Sequence, residues 1–171
     1  YLAKMKQIPY MSVLPAEPPP VVIAALGLKM LELAGQATAG AHPCNVTPEY
    51  TARARQLMGP DAWLCVGQKV ILETQPQRAR EIARSGIEVY LQSPFQRKNW
   101  KSMGMGDADC EGRGSDRLID ALVAWGNAET IEQRVQAHLD AGASHVCIEP
   151  MVAADSRLPD NELLEALAPV N

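Results

Sequence analysis

The chain has 171 residues, 47% of them hydrophobic and 21% charged, so it can bury a globular core. Its formal net charge of -4 argues against a surface that follows nucleic-acid phosphates. No apolar run approaches the roughly 20 residues of a membrane span. The run at 21–26 follows prolines and not the basic flank of a signal peptide. We therefore expect a cytoplasmic protein with no membrane or nucleic-acid partner.

The first 45 residues predict a connector and two strands joined by a helix. Residues 1–20 end in a proline cluster that is typical of an extended connector. Residues 21–26 form a continuous apolar run, as in a strand of a parallel sheet that is buried on both faces. Gly27 ends this strand, and apolar residues then recur at helical spacing. Residues 41–45 are the second predicted strand.

A strong helix start follows at residues 47–49, which read Thr-Pro-Glu. The threonine can cap the helix, the proline suits its first turn, and the glutamate suits the positive end of the helix dipole. We expect the helix to stop at Met58 because the Gly-Pro pair at 59–60 cannot continue it. Trp63–Leu72 is the third predicted strand.

The middle of the chain predicts a helix and then an interruption. Thr74 is expected to cap a helix over residues 76–91, whose buried face carries alanine and isoleucine. Residues 93–115 contain five glycines or prolines, mixed charges and little periodicity. This composition predicts a long excursion, either a solvated loop or part of a lid or subunit contact.

The last third predicts two helices, a strand and a final helix. The first helix begins at Ser115 and is expected to end at Gly126, and Asn127 should cap a second one that ends at Gly142. Residues 145–148 form the fourth strand. The final amphipathic helix is marked by leucines at 163, 164 and 167.

This alternation predicts an α/β fold with four neighbouring parallel strands, because its connections are crossovers and not hairpins. The sequence contains neither the glycine-rich turn of dinucleotide-binding folds nor a phosphate loop with a GK[ST] end. An eight-stranded β/α barrel needs about 250 residues, so the chain could supply only half of one.

Cysteines and histidines give no metal motif. The four cysteines are far apart without C-x-x-C spacing, and we interpret them as structural thiols in a reducing cytoplasm (Cys44, Cys65, Cys110 and Cys147). The histidines are not spaced as zinc ligands. His138 lies beside polar residues and is expected to be exposed, and His145 opens the last strand, remote from the active face.

Three runs of sequence carry a family resemblance. They are Ala-Ala-Leu-Gly-Leu-Lys-Met-Leu at 24–31, Gly-Ala-His-Pro at 40–43 with Val-Thr-Pro-Glu at 46–49, and Leu-Val-Ala-Trp-Gly at 122–126. Together they resemble the luciferase-like monooxygenase superfamily, within it the actinobacterial branch of oxidoreductases that use the deazaflavin coenzyme F-420. The match extends from about residue 21 to 151. Leu28 departs from it, since the family usually has proline there.

The resemblance implies that the chain is the C-terminal half of a β/α (TIM) barrel, with about strands 5 to 8. The family's first four strands carry the residues around the redox-active ring, including a non-proline cis peptide, and most of the substrate pocket. No catalytic residue is therefore expected in this half. The start at Tyr1, without an initiator methionine, agrees with a fragment.

In such a barrel the ligand lies at the carboxyl ends of the strands. Two loops there lead into helix N-termini, whose free N–H groups favour phosphate. Ala25, Leu26 and Gly27 would offer backbone N–H groups to the phosphate of F-420, or alternatively of FMN. Lys29 would add a positive charge and Thr47 a hydroxyl. The alternative is that the alanines are core residues, Lys29 is a surface residue and Thr47 is only a cap.

Two further side chains are candidate ligands. His42 ends a strand, where neutral imidazole could hydrogen-bond cofactor or substrate, although a packing role is the alternative. Glu149 ends the last strand and would project toward the barrel mouth to bind substrate or a ring substituent. The alternative for Glu149 is a loop glutamate paired with an arginine.

Two functions follow from these interpretations. In the first, the chain is part of a flavin- or deazaflavin-dependent oxidoreductase that acts on a small-molecule substrate, by hydride transfer or monooxygenation, and contributes the half that holds the cofactor phosphate. In the second, it is a truncated, non-catalytic interaction or assembly module. Four barrel strands leave open edges, so the expected partner is the missing N-terminal half-barrel or another copy of the chain.

Overall fold

The computed structural model describes residues 2–5, 7–9, 11, 13, 15–153 and 161–168. Within them, helices and parallel strands alternate along the chain as α1 (Leu2–Met5), β1 (Val22–Ile23), α2 (Leu28–Ala37), β2 (Gly40–Ala41), α3 (Pro48–Met58), β3 (Trp63–Leu72), α4 (Pro76–Leu91), α5 (Pro94–Ser102), a 3-10 turn (Ala108–Cys110), α6 (Asp116–Leu122), β4 (Val123–Gly126), α7 (Ala128–Asp140), β5 (His145–Pro150) and α8 (Asn161–Ala166).

The strands form one open, parallel sheet that is centred on β3. β1 pairs with β2, and β2 with the start of β3, where Ala41 lies opposite Leu64. β4 and β5 flank the later part of β3 on opposite edges, because Lys69 is the register partner of both Val123 and Glu149. The four strands predicted from sequence are therefore parallel neighbours in chain order, as expected, although β1 and β2 are shorter than predicted.

Alternate residues of β3 face two different layers. Leu64 and Val66 pack against α2 and α3, and Val70 packs with Ile131 of α7. The odd-numbered residues face the opposite side, which we call the inward face. Ile71, at the end of this face, is covered by a cluster from α4, α5 and α6. The remainder of the inward face carries half-buried and polar side chains.

Capping residues explain where the helices begin. Thr47 Oγ1 accepts from Tyr50 N at 3.4 Å, Pro48 is the first residue of α3, and Met58 is its last. Asn127 caps α7 in the same way. The helix after β3 has the predicted bounds, but Gln75 and not Thr74 is its N-cap residue. The glycine after Met58 has φ 80°, a conformation that suits glycine at the end of a helix.

β4 was missed in the sequence, where the helix from Ser115 was expected to reach Gly126. The helix ends at Leu122, and Val123–Gly126 forms a strand beside the last residues of β3. Leu118, Ile119 and Leu122 have helical spacing and are buried. Val123 fits the same spacing but belongs to β4, where it pairs with Lys69. Helical periodicity cannot show such a long-range contact.

The excursion at 93–115 is an ordered, packed segment and not a solvated loop. Pro94–Ser102 is a helix whose N-cap, Ser93, accepts from Gln96 N at 3.4 Å. Trp100 is fully buried and donates through Nε1 to the carbonyl of Asn45 at 3.1 Å. The cap and the following proline were the sequence signals for this helix.

The prediction for His138 was also wrong, because this residue is fully buried and not exposed. Its Nδ1 lies 2.8 Å from Thr51 Oγ1 on α3, and its Nε2 lies 2.9 Å from Gln68 Oε1 on β3. The imidazole therefore joins α7 to the helix and strand beneath it. Across the part of the chain that the structure describes, no helix is long and apolar enough to cross a membrane.

Candidate functional site: a cleft at the carboxyl ends of the strands and a polar group on the inward face

A cleft of about 440 Å³ opens where β1 and β2 end. It lies between the loop that enters α2, the loop that follows β2, and one face of α5. Its lining residues are Ala24, Ala25, Leu26, Gly27, Leu28, Met30, His42, Cys44, Phe95, Lys98, Asn99 and Ser102. The predicted β1 and β2 loops thus meet at one site, together with α5, which lies in the segment that was predicted as an excursion.

The start of α2 offers unpaired backbone donors to this cleft. Gly27 is the N-cap residue and provides no side-chain hydrogen bond. Its carbonyl accepts from the N–H groups of Met30 and Leu31, so those two are engaged within the helix. The first N–H groups of a helix have no partner inside it, and they carry the positive end of the helix dipole. This end of α2 therefore suits an anion.

Tyr50 holds the loop in place from α3. Its hydroxyl donates to the carbonyl of Leu26 at 2.5 Å, and the residue is only 2% exposed. Burial raises the pKa of Tyr50 to about 12, so the hydroxyl stays protonated and remains a donor. Sequence reasoning had placed Tyr50 inside a helix without a function.

The α5 side of the cleft supplies an amide and a cation. Asn99 is 8% exposed, and its Nδ2 has no hydrogen-bond partner. A buried donor without a partner costs about 1–3 kcal/mol, which a ligand acceptor would recover. Lys98 also lines the cleft. An uncapped helix start, an unsatisfied amide donor and a lysine together fit a phosphate-bearing group.

The predicted cofactor residues do not all converge. Ala25, Leu26, Gly27 and His42 line the cleft together. Lys29 is exposed and is not part of the lining. Thr47 lines a separate cavity of about 390 Å³ at the start of α3, where its side chain is occupied as the cap.

A second polar group lies on the inward face around Gly67. Lys69 is 7% exposed and forms an ion pair with Glu149, Nζ to Oε2, at 2.5 Å. The Nζ atom also lies 5.4 Å from the centre of the Tyr90 ring. The sequence placed Glu149 at the strand end but gave no role to Lys69, although a lysine inside an apolar strand was a visible signal. The partner of Glu149 is this strand lysine and not an arginine.

Gly67 lies on β3 between the side chains of this group. A Cβ atom added there would collide with Oε1 of Glu149, and it would lie 3.3 Å from Cys44 Cβ and 3.4 Å from His42 Nε2. His42 Nδ1 is 4.0 Å from Cys147 Sγ. Gly67 is the register partner of Cys147 in β5, and it also forms an isolated parallel bridge with Cys44, which follows β2. The imidazole, the carboxylate and the Cβ of Cys44 thus approach one point above the glycine, and the thiol of Cys147 lies beside the imidazole.

The thiols are free, and burial raises the pKa of each one. Such thiols are poor nucleophiles at neutral pH. Cys110 is buried under α6, whereas the other three are half-buried. Within the described ranges, no group of three or more His, Cys, Asp or Glu side chains could hold a metal ion.

No protein-family model matches the sequence, and no curated protein matches it either. Solved structures do share its fold, which is an α/β arrangement of an open, parallel sheet with helices, equivalent to about half of each of those chains. At the sequence identities found, the likeness shows the fold alone. It confirms the predicted α/β class and the incomplete barrel.

Two of these structures are oxidoreductases. The coenzyme F420-dependent tetrahydromethanopterin reductase from Methanopyrus kandleri matches with a TM-score of 0.60 and 15% identity, over 86% of this chain and 48% of that one. An F420-dependent secondary alcohol dehydrogenase, solved with an F420–acetone adduct, matches with a TM-score of 0.62 and 14% identity, over 91% and 51%. The chain therefore spans about half the length of each.

Proposed function

We propose that this chain supplies the cofactor-tail half of a luciferase-like oxidoreductase that uses coenzyme F-420, with FMN as the alternative carrier. The observation that carries the proposal is the cleft between α2 and α5, which is lined both by the uncapped start of α2 and by Asn99, whose Nδ2 has no hydrogen-bond partner. The names of the two structural neighbours, both F420-dependent, support the choice of deazaflavin.

The residues of this chain would bind and orient the cofactor. The first N–H groups of α2 and the Asn99 amide would donate to phosphate oxygens, and Lys98 would offset their charge. Tyr50 would hold the loop at Leu26 in the binding conformation. The bound deazaflavin would supply hydride transfer, which the protein directs by position.

The partner that we propose is a complementary half-barrel, supplied by the N-terminal part of a longer protein or by another copy of the chain. Among the described strands, β1 and β5 each pair with a neighbour on one edge only. The inward face between them is half-exposed, and Trp63 at its base is 49% exposed. The second candidate function, a non-catalytic assembly module, would use these same edges.

The test is a fluorescence titration of F-420 and FMN into the purified chain and two variants at Gly27. The site has φ -82°, and a Cβ there meets no atom within 4 Å, so Gly27→Ala should bind almost as the parent does. Gly27→Asp should keep the fold, because aspartate is a good N-cap. Its carboxylate would occupy the same N–H groups and repel the phosphate, so we expect at least a tenfold loss of affinity.

The variants Lys98→Ala and Lys29→Ala compare what the two lysines contribute to phosphate binding. If the cleft holds the phosphate, Lys98→Ala should weaken binding severalfold, and Lys29→Ala should change it less because Lys29 lies outside the lining. Equal affinity of the parent and Gly27→Asp, with circular dichroism unchanged, would place the phosphate elsewhere and refute the proposal.

A further inference from the structure

The cavity of about 390 Å³ at the start of α3 lies apart from the cleft at α2, with which it shares only Ser102. It is bounded by the first turns of α3, by the segment that follows α5 and by an arginine of α7. Its apolar walls are formed by Pro48, Met103, Met105 and Ala121. Its charged residues are Glu49, Arg53 and Arg134.

The two arginines of this cavity form no ion pair within the described part of the chain. Five other arginines each pair with a carboxylate (Arg78, Arg80, Arg84, Arg113 and Arg117). Arg53 contacts Ser102, the last residue of α5, through its hydroxyl at 3.2 Å and its carbonyl at 3.5 Å. Arg134 donates to the carbonyls of Asp120 and Ala121, near the end of α6, at 3.2 and 2.9 Å. Both guanidinium groups therefore hold a helix end and lack a carboxylate.

An unpaired donor and an unpaired charge remain in the cavity. The Nε atom of Arg53 is buried and has no hydrogen-bond partner among the described residues. Burial lowers the pKa of Arg134, and the charges of Glu49 and Asp120 only oppose this shift from a distance. A half-buried cation without a carboxylate partner is costly, and an anionic ligand would reduce that cost.

The start of α3 does not itself provide the anion site, because the chain caps it. Thr47 accepts from Tyr50 N, and the carboxylate of Glu49 is hydrogen-bonded to Thr47 and to its own backbone N–H. These hydrogen bonds lower the pKa of Glu49, so its side chain is charged at neutral pH. The two arginines are the groups that are left to bind an anion.

The charges and walls of the cavity select the kind of anion. Two arginines and one glutamate give a net charge of +1, which a monoanion would neutralise and a dianion would reverse. The planar guanidinium group matches the geometry of a carboxylate. The two methionines provide an adaptable apolar wall for a short hydrocarbon body. The volume lies within the range of about 300–1,000 Å³ that is usual for small-molecule sites.

We propose that this cavity binds a small monocarboxylate, with its head group at Arg53 and Arg134 and its apolar body against Met103 and Met105. Glu49, at the exposed edge of the cavity, restricts the ligand to a single negative charge. The inference goes beyond the proposed function and is independent of it, since binding requires neither F-420 nor a complementary half-barrel.

The experiment is a calorimetric titration of the purified chain with three six-carbon probes. Hexanoate is the monocarboxylate, hexanamide replaces the charge by a neutral amide, and hexanedioate adds a second carboxylate. We expect saturable binding of hexanoate and at least tenfold weaker binding of the other two. In parallel NMR spectra, the Nε–H signal of Arg53 should shift with hexanoate. The signal of Arg113, whose Nε already donates to Glu88 at 3.2 Å, should not.

Variants then assign the site. Arg53→Gln should weaken hexanoate binding tenfold or more, because it removes a charge-assisted contact. Arg78→Gln, at an arginine outside the cavity, is the matched control and should bind as the parent does. Glu49→Gln should tighten hexanoate binding severalfold and improve hexanedioate binding more, since it removes a repulsive charge. A purely structural role of Glu49 would predict neither gain.

Equal binding of hexanoate and hexanamide, or an unmoved Arg53 signal at saturation, would overturn the inference. Hexanoate binding that is lost in Gly27→Asp but kept in Arg53→Gln would place the carboxylate in the α2 cleft and would also overturn it. The F-420 titrations of the Gly27 variants test the proposed function separately. Hexanoate binding that depends on Arg53, without any F-420 binding, would refute the proposed function alone.

Discussion

Acid should destabilise this fold through one histidine, His138. The ring lies between Thr51 and Gln68 in a fully buried position. The amide nitrogen of Gln68 donates to the carbonyls of Lys69 and Leu122, at 2.8 and 3.1 Å, so its Oε1 must accept. His138 Nε2 therefore carries the hydrogen, and Nδ1 accepts from the threonine hydroxyl. This network fits the neutral imidazole.

The pKa of His138 is lowered from 6.5 to about 4, first by burial and then by nearby Arg134, while Glu49 opposes the shift. A histidine with a depressed pKa in the folded state binds its proton more readily when unfolded. Its contribution to stability is therefore complete above pH 6.5 and is lost as the pH falls toward 4. At 1.36 kcal/mol per pKa unit, the loss is about 3 kcal/mol, a large part of the 5–15 kcal/mol that stabilises a typical domain.

Urea unfolding between pH 4.5 and 7.5 measures this effect, with the parent compared with His138→Gln. The variant keeps a polar side chain but cannot titrate, so it should be less stable than the parent at pH 7.5 and should lose less stability on acidification. Carboxylates that do not interact with His138, such as Asp109, whose pKa is lowered first by its hydrogen bond from Ser115, titrate in both proteins and cancel in the difference. The exposed His145→Gln should behave as the parent does. Parallel pH profiles for the parent and His138→Gln would refute the reasoning.

Three other outcomes are expected. Trp100→Ala should cost about 3–5 kcal/mol in urea unfolding because the indole is fully buried under α5, whereas Phe95→Ala on the same helix should cost little since Phe95 is 81% exposed. Thr47→Val should lower the free energy of unfolding by about 1 kcal/mol through loss of the α3 cap, and an unchanged value would show that the 3.4 Å contact contributes nothing. The purified chain alone should not oxidise or reduce F-420 with any substrate above a heat-treated control, and measurable turnover would mean that the ring-binding residues are present in this half.

Local signals predicted the repeating strands and helices well. The Thr-Pro-Glu start of α3 and its glycine end were readable because caps act within a few residues. Trp63–Leu72 was predicted with the observed bounds because a long, mostly apolar run is typical of a buried parallel strand. The parallel order followed from the crossover connections.

Contacts between distant residues could not be predicted in the same way. The sequence around His138 is polar, yet α7 buries this residue against β3. Its contact there is Gln68, which lies 70 positions earlier in the chain. β4 depends on the last four residues of β3 for its hydrogen bonds. The cleft was half predicted, since the α2 loop and His42 were named, but Asn99 lies on a helix that had been interpreted as a loop.

The two faces of β3 explain why the polar group around Gly67 was harder to predict than the cleft. One face packs against helices through apolar side chains. The polar residue on this face, Gln68, is hydrogen-bonded to His138, so the face offers no polar atom to a ligand. The other face alternates with it residue by residue and places Gly67 and Lys69 where a closed barrel would have its interior. Because residues of the two faces alternate in the sequence, they appear together as one mostly apolar run. The strand register brings Glu149 of β5 beside Lys69 of β3, where the two form an ion pair. This long-range pairing explains why β3 contains a lysine two residues after a glycine, and the sequence alone does not show it.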